Sequence, residues 1–272
     1  MQILKSIIMG IIQGLTEFLP VSSSGHLVLA KHYLGIQFSS SVAFEVFLHL
    51  GSVLAVLIYY RKDIAQLLIS LFKFKDNSKE HLHNRNTIYY LLVATFVTGL
   101  IYFFFDDRIE AIFDTTNPNN LYWVSIFLAI TGLIVFCSDK ISVTQLNQRL
   151  GIKKSILIGI AQAFALLPGI SRSGSTISMG IFVGMKREEA ARFSFLLSLP
   201  AILGANIMKF GELSQLNSSD LSAFLFGALA AFISGLLVIS ALIKLIKDKK
   251  LKYFAYYCWI IATISIIFYT VS

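Results

Sequence analysis

Two stretches of this chain place proline, glycine, serine and ionisable side chains in the middle of long apolar runs. The first reads Gln13-Gly-Leu-Thr-Glu-Phe-Leu-Pro-Val-Ser-Ser-Ser-Gly-His26, the second Gln162-Ala-Phe-Ala-Leu-Leu-Pro-Gly-Ile-Ser-Arg-Ser-Gly-Ser175. They open more than half the chain apart, at Gln13 and Gln162. Lipid tolerates irregular backbone only where protein or a water-filled cavity surrounds it. An ionisable residue at membrane depth is a functional-site hypothesis by default. Two such segments at matching offsets point to one site at a repeat interface.

The chain is 56% hydrophobic and 14% charged, with a mean hydropathy of +0.73. That is the composition of a polytopic helical membrane protein rather than a soluble domain. The net charge of +8 invites a nucleic-acid reading. The basic residues, however, sit in short loops between apolar runs, which is the positive-inside bias. No nucleic-acid partner is therefore expected. Cys137 and Cys258 lie in or beside apolar segments without metal-ligand spacing. The run Ile3–Leu19 is interrupted by Gln13 and Glu17 and is followed by no small-residue cleavage site, so it is expected to be retained.

A membrane span takes roughly 17–25 apolar residues. Six segments fit: about Val42–Tyr60, Ile88–Phe105, Leu121–Cys137, Ala190–Lys209, Leu221–Ile243 and Phe254–Val271. The regions Leu4–Leu34 and Ile152–Val183 differ. Each reads as two short helices broken at a Pro/Gly/Ser turn, a re-entrant hairpin that enters and leaves on one side. The expected fold is all-α and polytopic: six transmembrane helices plus two re-entrant helix-turn-helix hairpins.

Charge orients this arrangement. Arg61, Lys62, Lys73, Lys75, Lys79 and Arg85 follow the first span, and Lys140, Arg149, Lys153 and Lys154 the third. Lys186, Arg187 and Arg192 follow the second hairpin; Lys244, Lys247, Lys249, Lys250 and Lys252 precede the last span. The loops 106–120 and 211–220 carry only Arg108 and are otherwise acidic or neutral. Basic loops are thus cytoplasmic and both termini outside. The first hairpin enters from outside and the second from inside. The chain is a single integral membrane domain over 1–272, with inverted-topology repeats at about 1–137 and 150–272. With Gln13 set on Gln162, Ala43–Leu50 aligns without a gap to Arg192–Leu199, and Ser23 falls opposite Arg172. The hairpin tips are expected to meet near the midplane.

Other features read as structural. Ile64–Phe74 is amphipathic and suits the cytoplasmic interface. Tyr89, Tyr90, Tyr122, Trp123, Tyr253, Tyr256, Tyr257 and Trp259 read as interfacial aromatics. Asn206 reads as a helix–helix hydrogen bond. Gly99, Gly132, Gly180, Gly184, Gly204, Gly227 and Gly235 read as close-packing positions.

In the first tip, Gln13 and Glu17 are one helical turn apart and share a face. Pro20 breaks that helix. One of Ser22, Ser23 and Ser24 caps the next, which carries His26. A carboxylate, a hydroxyl and an imidazole on one turn are the parts of an activated nucleophile or an acid–base pair. A serine after proline is often only a cap, and a histidine on an apolar helix only a hydrogen-bonded core residue. Glu17 has the weakest bland reading, because a carboxylate in a span costs roughly 2.5–3.5 kcal/mol and needs a partner.

The second tip supplies positive charge. A Gly/Ser-rich turn opening a helix offers free N–H groups and a partial positive charge to an anion. Arg172 adds a planar fork suited to phosphate oxygens. Ser171, Ser173, Ser175 and Thr176 add hydroxyls. A structural Glu17–Arg172 salt bridge is the competing reading, ranked lower because it needs no ring of donors. Together the tips suggest a phosphate or diphosphate site completed by one nucleophile and one divalent cation. Glu45 and His49, one turn apart on the first span, would stand behind the first tip or form a structural pair.

These residues resemble a known family. Gly14-Leu-Thr-Glu-Phe-Leu-Pro-Val-Ser-Ser-Ser-Gly-His26 and Pro168-Gly-Ile-Ser-Arg-Ser-Gly-Ser-Thr176 are similar to the two signature motifs of the undecaprenyl-diphosphate phosphatases of the bacitracin-resistance type. The likeness extends over essentially the whole chain, including Phe44-Glu45-Val46 and Phe193–Leu197. It implies hydrolysis of undecaprenyl diphosphate to the monophosphate and inorganic phosphate, which recycles the lipid carrier for cell-wall polymers. It also implies a multi-pass protein of the bacterial inner membrane with a site opening outward, and a divalent cation, Mg²⁺ or Ca²⁺. It puts Glu17, Ser23, His26 and Arg172 in catalytic positions. Arg172, Ser171, Ser173 and Thr176 would hold the diphosphate, and Glu17 and Gln13 the metal, with Glu45 and His49 behind them. Many members carry Glu where this chain has Gln13; an amide can coordinate a cation but is no base at neutral pH. The partners implied are a polyprenyl diphosphate lipid and the bilayer, with the oligomeric state open between monomer and homodimer. The competing classes are a prenyl-phosphate transporter using the same anion site, and a membrane-embedded serine peptidase.

Overall fold

The computed structural model describes residues 2–36, 41–73, 75–76, 78–112, 119–142, 150–208, 211 and 218–271. Among them are eleven helices and no strand. In order they are α1 (Gln2–Phe18), α2 (Ser23–Tyr33), α3 (Ser41–Tyr59), α4 (Arg61–Phe72), α5 (Lys79–Ile112) and α6 (Asn120–Asp139). Then come α7 (Ile152–Phe164), α8 (Arg172–Phe182), α9 (Arg187–Met208), α10 (Ser218–Lys247) and α11 (Lys252–Val271). Six helices (α3, α5, α6, α9, α10 and α11) are long and apolar enough to cross a membrane, and they are the six expected spans. Where a loop was expected from 106, α5 continues to Ile112; residues 113–118 and 212–217, and Arg149, lie outside the described residues.

The four remaining helices of the two broken regions are shorter. α2 and α8 have 11 residues each, about 16 Å at 1.5 Å per residue, against roughly 30 Å of hydrocarbon. α1 ends before Pro20, and α7 ends before Pro168. The following helices start at matching serines. The Ser22 hydroxyl accepts from Gly25 N–H (3.3 Å) and that of Ser171 from Gly174 N–H (3.0 Å). Each thereby satisfies one of the N–H groups that a helix start leaves free.

Ion pairs gather the basic helix ends at one end of the bundle. Arg187 of α9 meets Asp139 of α6 at 2.9 Å, and Lys247 of α10 meets Glu188 of α9 at 2.9 Å. Arg192 reaches Asp63 of α4 at 2.6 Å, and Lys252 N–H donates to Asp139. At the other end Tyr269 donates to Asn119 (2.5 Å). Tyr33, at the C-terminus of α2, bonds to Ser265 near the end of α11. At the start of α7, Ser155 donates to the Tyr90 carbonyl near the basic end of α5. The two hairpins therefore open at opposite ends. Helix pairings also correspond between halves: α1 lies on α10 as α7 lies on α5, and α2 touches α11 as α8 touches α6. Both observations are compatible with an inverted repeat.

Small residues let the hairpin helices nest between the spans. A methyl group at Gly10 would overlap the Gly227 carbonyl of α10, and one at Gly14 would overlap Ser234 and the Ala231 carbonyl. Gly159, the counterpart of Gly10, also packs closely: a methyl group there would lie 2.6 Å from the Ala94 carbonyl of α5. Gly132, Gly180, Gly227 and Gly235 are also close-packed, as expected. Gly99 and Gly204 are not, having no neighbour within 4 Å among the described residues. Gly184 instead serves a turn at φ +89°. Asn206 is buried, but its Nδ2 has no hydrogen-bond partner among the described residues, contrary to the expected helix–helix bond. On the periphery α5 exposes Phe96, Phe103 and Phe104, which suits a lipid-facing helix.

Gly10→Val is expected to destabilise the protein by about 1–3 kcal/mol through overpacking, lowering its melting temperature in detergent. Gly99→Ala should be neutral or slightly stabilising, since it adds helix propensity in open space.

Candidate active site

The two hairpin tips touch. Ser173 donates to the Leu19 carbonyl (2.8 Å), and Ser22 to the Ile170 carbonyl (3.4 Å). Thr131 of α6 braces the second tip by donating to the Gly169 carbonyl (2.8 Å) and accepting from Ser171 N–H (2.9 Å). Gly169 has φ +102°, and a methyl group there would press against the backbone of α6. These bonds satisfy backbone groups that the proline breaks leave unpaired, which is what an irregular segment at membrane depth requires.

Glu17, 6% exposed, lies at the junction. Its Oε1 accepts from Arg172 Nη2 at 2.8 Å across the two tips. Its Oε2 accepts from the Ser23 hydroxyl at 2.6 Å and from Gln13 Nε2 at 3.0 Å. His49 Nε2 stands 4.0 Å from the same oxygen, while its Nδ1 contacts the Glu45 carbonyl at 2.8 Å. The Glu45 side chain itself turns away to Lys31 at 2.5 Å. Arg172 also donates from Nη1 to the Ser194 carbonyl of α9 (3.2 Å). The sequence ranked the Glu17–Arg172 bond below a phosphate role for Arg172; the structure contains that bond. It joins the two residues on which the charge arguments had separately converged.

The first tip also carries strain. Ser22 has φ +68°, rare for a residue with a side chain. This conformation turns its carbonyl to receive both the backbone N–H of His26 (3.2 Å) and the ring Nδ1–H (2.8 Å). With Nδ1 as donor, Nε2 is the acceptor. It meets the Tyr257 hydroxyl of α11 at 2.9 Å, with the two rings stacked. Ser23 is therefore bonded to a carboxylate and not to the imidazole.

Three residues expected to bind phosphate have their hydroxyls bonded within the protein. The Ser171 hydroxyl caps α8, that of Ser173 holds Leu19, and that of Thr176 meets the Arg172 carbonyl (2.8 Å) and Ser194 (2.6 Å). All three residues are about 1% exposed. Hydroxyl composition suggested an anion cradle; packing made these three the glue of the tips. Sequence reasoning missed Thr131 and Ser194, and took Tyr257 for an interfacial aromatic. No local signal marks them, because their partners lie on other helices.

For a divalent cation, the telling atom is Gln13 Oε1. It is buried, without a hydrogen-bond partner among the described residues, and belongs to the same side chain that donates to Glu17. No cluster of three or more His, Cys, Asp or Glu residues suited to a metal occurs among the described residues. The donor set thus fits a cation that takes one or two protein oxygens and completes its shell with substrate phosphates and water, the usual habit of Mg²⁺.

An α-helical membrane bundle with an acid–hydroxyl–arginine site at the contact of two broken hairpins defines the class. The particular family follows from sequence. Residues 6–264 match the family described as Bacitracin resistance protein BacA, and the chain belongs to that family. A relative named undecaprenyl-diphosphatase, from Methanobrevibacter smithii, is 43% identical over 97% of this chain and 96% of its own length. Relatives of the same name from Christiangramia forsetii and Syntrophotalea carbinolica are 40% and 38% identical. They cover 98% and 96% of this chain, and the same shares of their own lengths.

Glu17→Ala would leave Arg172 charged and unpaired, with an expected loss of about 3–5 kcal/mol. Ser23→Ala removes one hydrogen bond, about 1 kcal/mol. Thermal melting in detergent should therefore rank Glu17→Ala well below Ser23→Ala, and adding Arg172→Met to Glu17→Ala should restore much of the loss.

Proposed function

We propose that the hairpin junction hydrolyses undecaprenyl diphosphate to undecaprenyl phosphate and inorganic phosphate, as the relatives' name describes for them. The activity recycles a lipid carrier for cell-wall synthesis and underlies the resistance to bacitracin for which the family is named. The observation that carries the reading is the chain Ser23–Glu17–Arg172: a hydroxyl held at 2.6 Å on a carboxylate whose other oxygen is held by a guanidinium.

Glu17 takes the Ser23 proton as Oγ bonds to the terminal phosphorus. The bridging P–O bond breaks, and undecaprenyl phosphate leaves with its electron pair. Water then attacks the phosphoserine, giving up a proton to His26 Nε2, and Ser23 Oγ takes back the proton held by Glu17 as the P–Oγ bond breaks and phosphate departs. Arg172 enters through electrostatics. Once Glu17 is protonated it no longer neutralises the guanidinium, which becomes free to hold phosphate oxygens as charge develops there. Gln13 Oε1 and Glu17 would hold the divalent cation; when bound, it neutralises diphosphate oxygens. His26, with Nδ1–H on the Ser22 carbonyl and Nε2 as acceptor, stands ready to take a proton from water.

Charge asymmetry supports the sidedness of this reading. The paired basic helix ends face the cytoplasm by the positive-inside rule, so the first hairpin enters from outside and the site opens outward. A transport-only protein would need the anion site but no serine held on a carboxylate. A serine peptidase would want Ser23 on an imidazole.

The test is phosphate release from undecaprenyl diphosphate by the purified protein in detergent, with Mg²⁺ or with chelator. Ser23→Ala and Arg172→Ala are each expected to lose on the order of 10³-fold or more in kcat/KM. Wild-type-like release by Ser23→Ala would remove Ser23 as nucleophile, and no release from folded wild type under any metal would remove the phosphatase reading.

A further inference from the structure

We infer that Tyr257 of the last span is a positioning residue for the reaction, holding His26 in one tautomer and one orientation through its hydroxyl. The inference rests on the phosphatase reading and on four observations. His26 Nδ1 lies 2.8 Å from the Ser22 carbonyl, which can only accept, so Nδ1 carries the hydrogen. Nε2 is then a bare acceptor, and the Tyr257 hydroxyl at 2.9 Å donates to it. The two rings lie within 6° of parallel with centroids 5.5 Å apart, so the tyrosine also fixes the imidazole plane. The adjacent Cys258 contacts the Pro20 carbonyl from the same turn of α11, which anchors that turn against the first tip.

The arrangement has a chemical consequence. A neutral histidine among apolar helices could hold its hydrogen on either nitrogen. The strained Ser22 selects Nδ1, and Tyr257 marks Nε2 as the nitrogen that exchanges a proton. The second hydrogen-bond partner of a working histidine commonly sets its tautomer. Here that duty is divided between the hairpin backbone and a helix from the far end of the chain. Tyr257 acts through His26 and is given no contact with substrate.

Tyr257→Phe keeps the ring and removes the hydroxyl, so the fold should be preserved. With undecaprenyl diphosphate in detergent, kcat should fall roughly five- to tenfold, the value of one hydrogen bond in a rate, with KM within about twofold because ground-state binding is untouched. Tyr257→Leu, which also removes the stacking, should fall further. As a readout independent of turnover, ¹⁵N spectra of histidine-labelled protein should show His26 as a single Nδ1–H tautomer in wild type and a mixture in Tyr257→Phe. Suppose wild type is active and His26→Ala is not. If Tyr257→Phe then keeps both the wild-type kcat and the wild-type His26 spectrum, the inference fails while the phosphatase reading stands. If wild type itself releases no phosphate, that reading fails, and the spectra still decide whether Tyr257 sets the tautomer.

Discussion

The ion pair between Glu17 and Arg172 ties the structure together. Each residue sits in one of the two proline-broken segments, Glu17 near the end of α1 and Arg172 at the start of α8. Neither charge is tolerable alone among apolar side chains, because burying an unpaired ion costs several kcal/mol. Pairing them forces the tips together. Contact then provides partners for the backbone groups that the proline breaks release: Ser173 on Leu19, Ser22 on Ile170, and Thr131 on both sides of Ile170. Gln13, Ser23 and Ser194 supply the remaining hydrogen bonds. The site is thus the condition under which the irregular backbone can exist in a membrane.

The two tips share a skeleton and differ in chemistry. Ser22 and Ser171 cap their helices in the same way, and each hydroxyl touches the serine two residues on, Ser24 or Ser173, at 3.2 and 3.1 Å. Gln13 and Gln162 are both buried with an unpartnered carbonyl oxygen. The functional groups break this correspondence. Opposite Glu17 stands Leu166, opposite Ser23 stands Arg172, and opposite His26 stands Ser175. Backbone conformation breaks it too: Ser22 is at φ +68° where Ser171 is extended at φ −76°. A conformation of that kind costs of order 1–3 kcal/mol and survives where surrounding contacts over-determine it. Here it immediately precedes the hydroxyl bonded to Glu17 and aims the carbonyl that holds His26.

Close approach of the helices supports this chemistry from outside. Gly10 and Gly14 let α1 press into α10, and Gly159 lets α7 press into α5. The tips are thereby held among rigid spans rather than on loose loops, which preserves reactive geometry to the fraction of an ångström that catalysis requires. The exposed apolar faces of α5, α10 and α11 then give the assembly a lipid-compatible exterior.

The six spans and the two broken regions were legible in the sequence, because hydropathy and proline act locally. A carboxylate in an apolar helix demands a partner wherever it folds, yet the sequence ranked Arg172 as that partner below its phosphate role. Which donors face the site was not legible. Ser171, Ser173 and Thr176 look like anion ligands in sequence and serve as caps and braces in space. Tyr257 looks like an interfacial aromatic and contacts the His26 ring. Gly99 looks like a packing glycine, yet a methyl group there would meet no neighbour among the described residues, while Gly10, hidden in the first hairpin, is closely packed. These outcomes depend on which helices become neighbours, and long-range packing alone decides that. The sequence by itself determined that Glu17 and Arg172 each needed a partner within the membrane, since an unpaired buried charge is costly. Only the tertiary structure decided which hydroxyl reaches Glu17 and which ring reaches His26, because direction and distance belong to the assembled bundle.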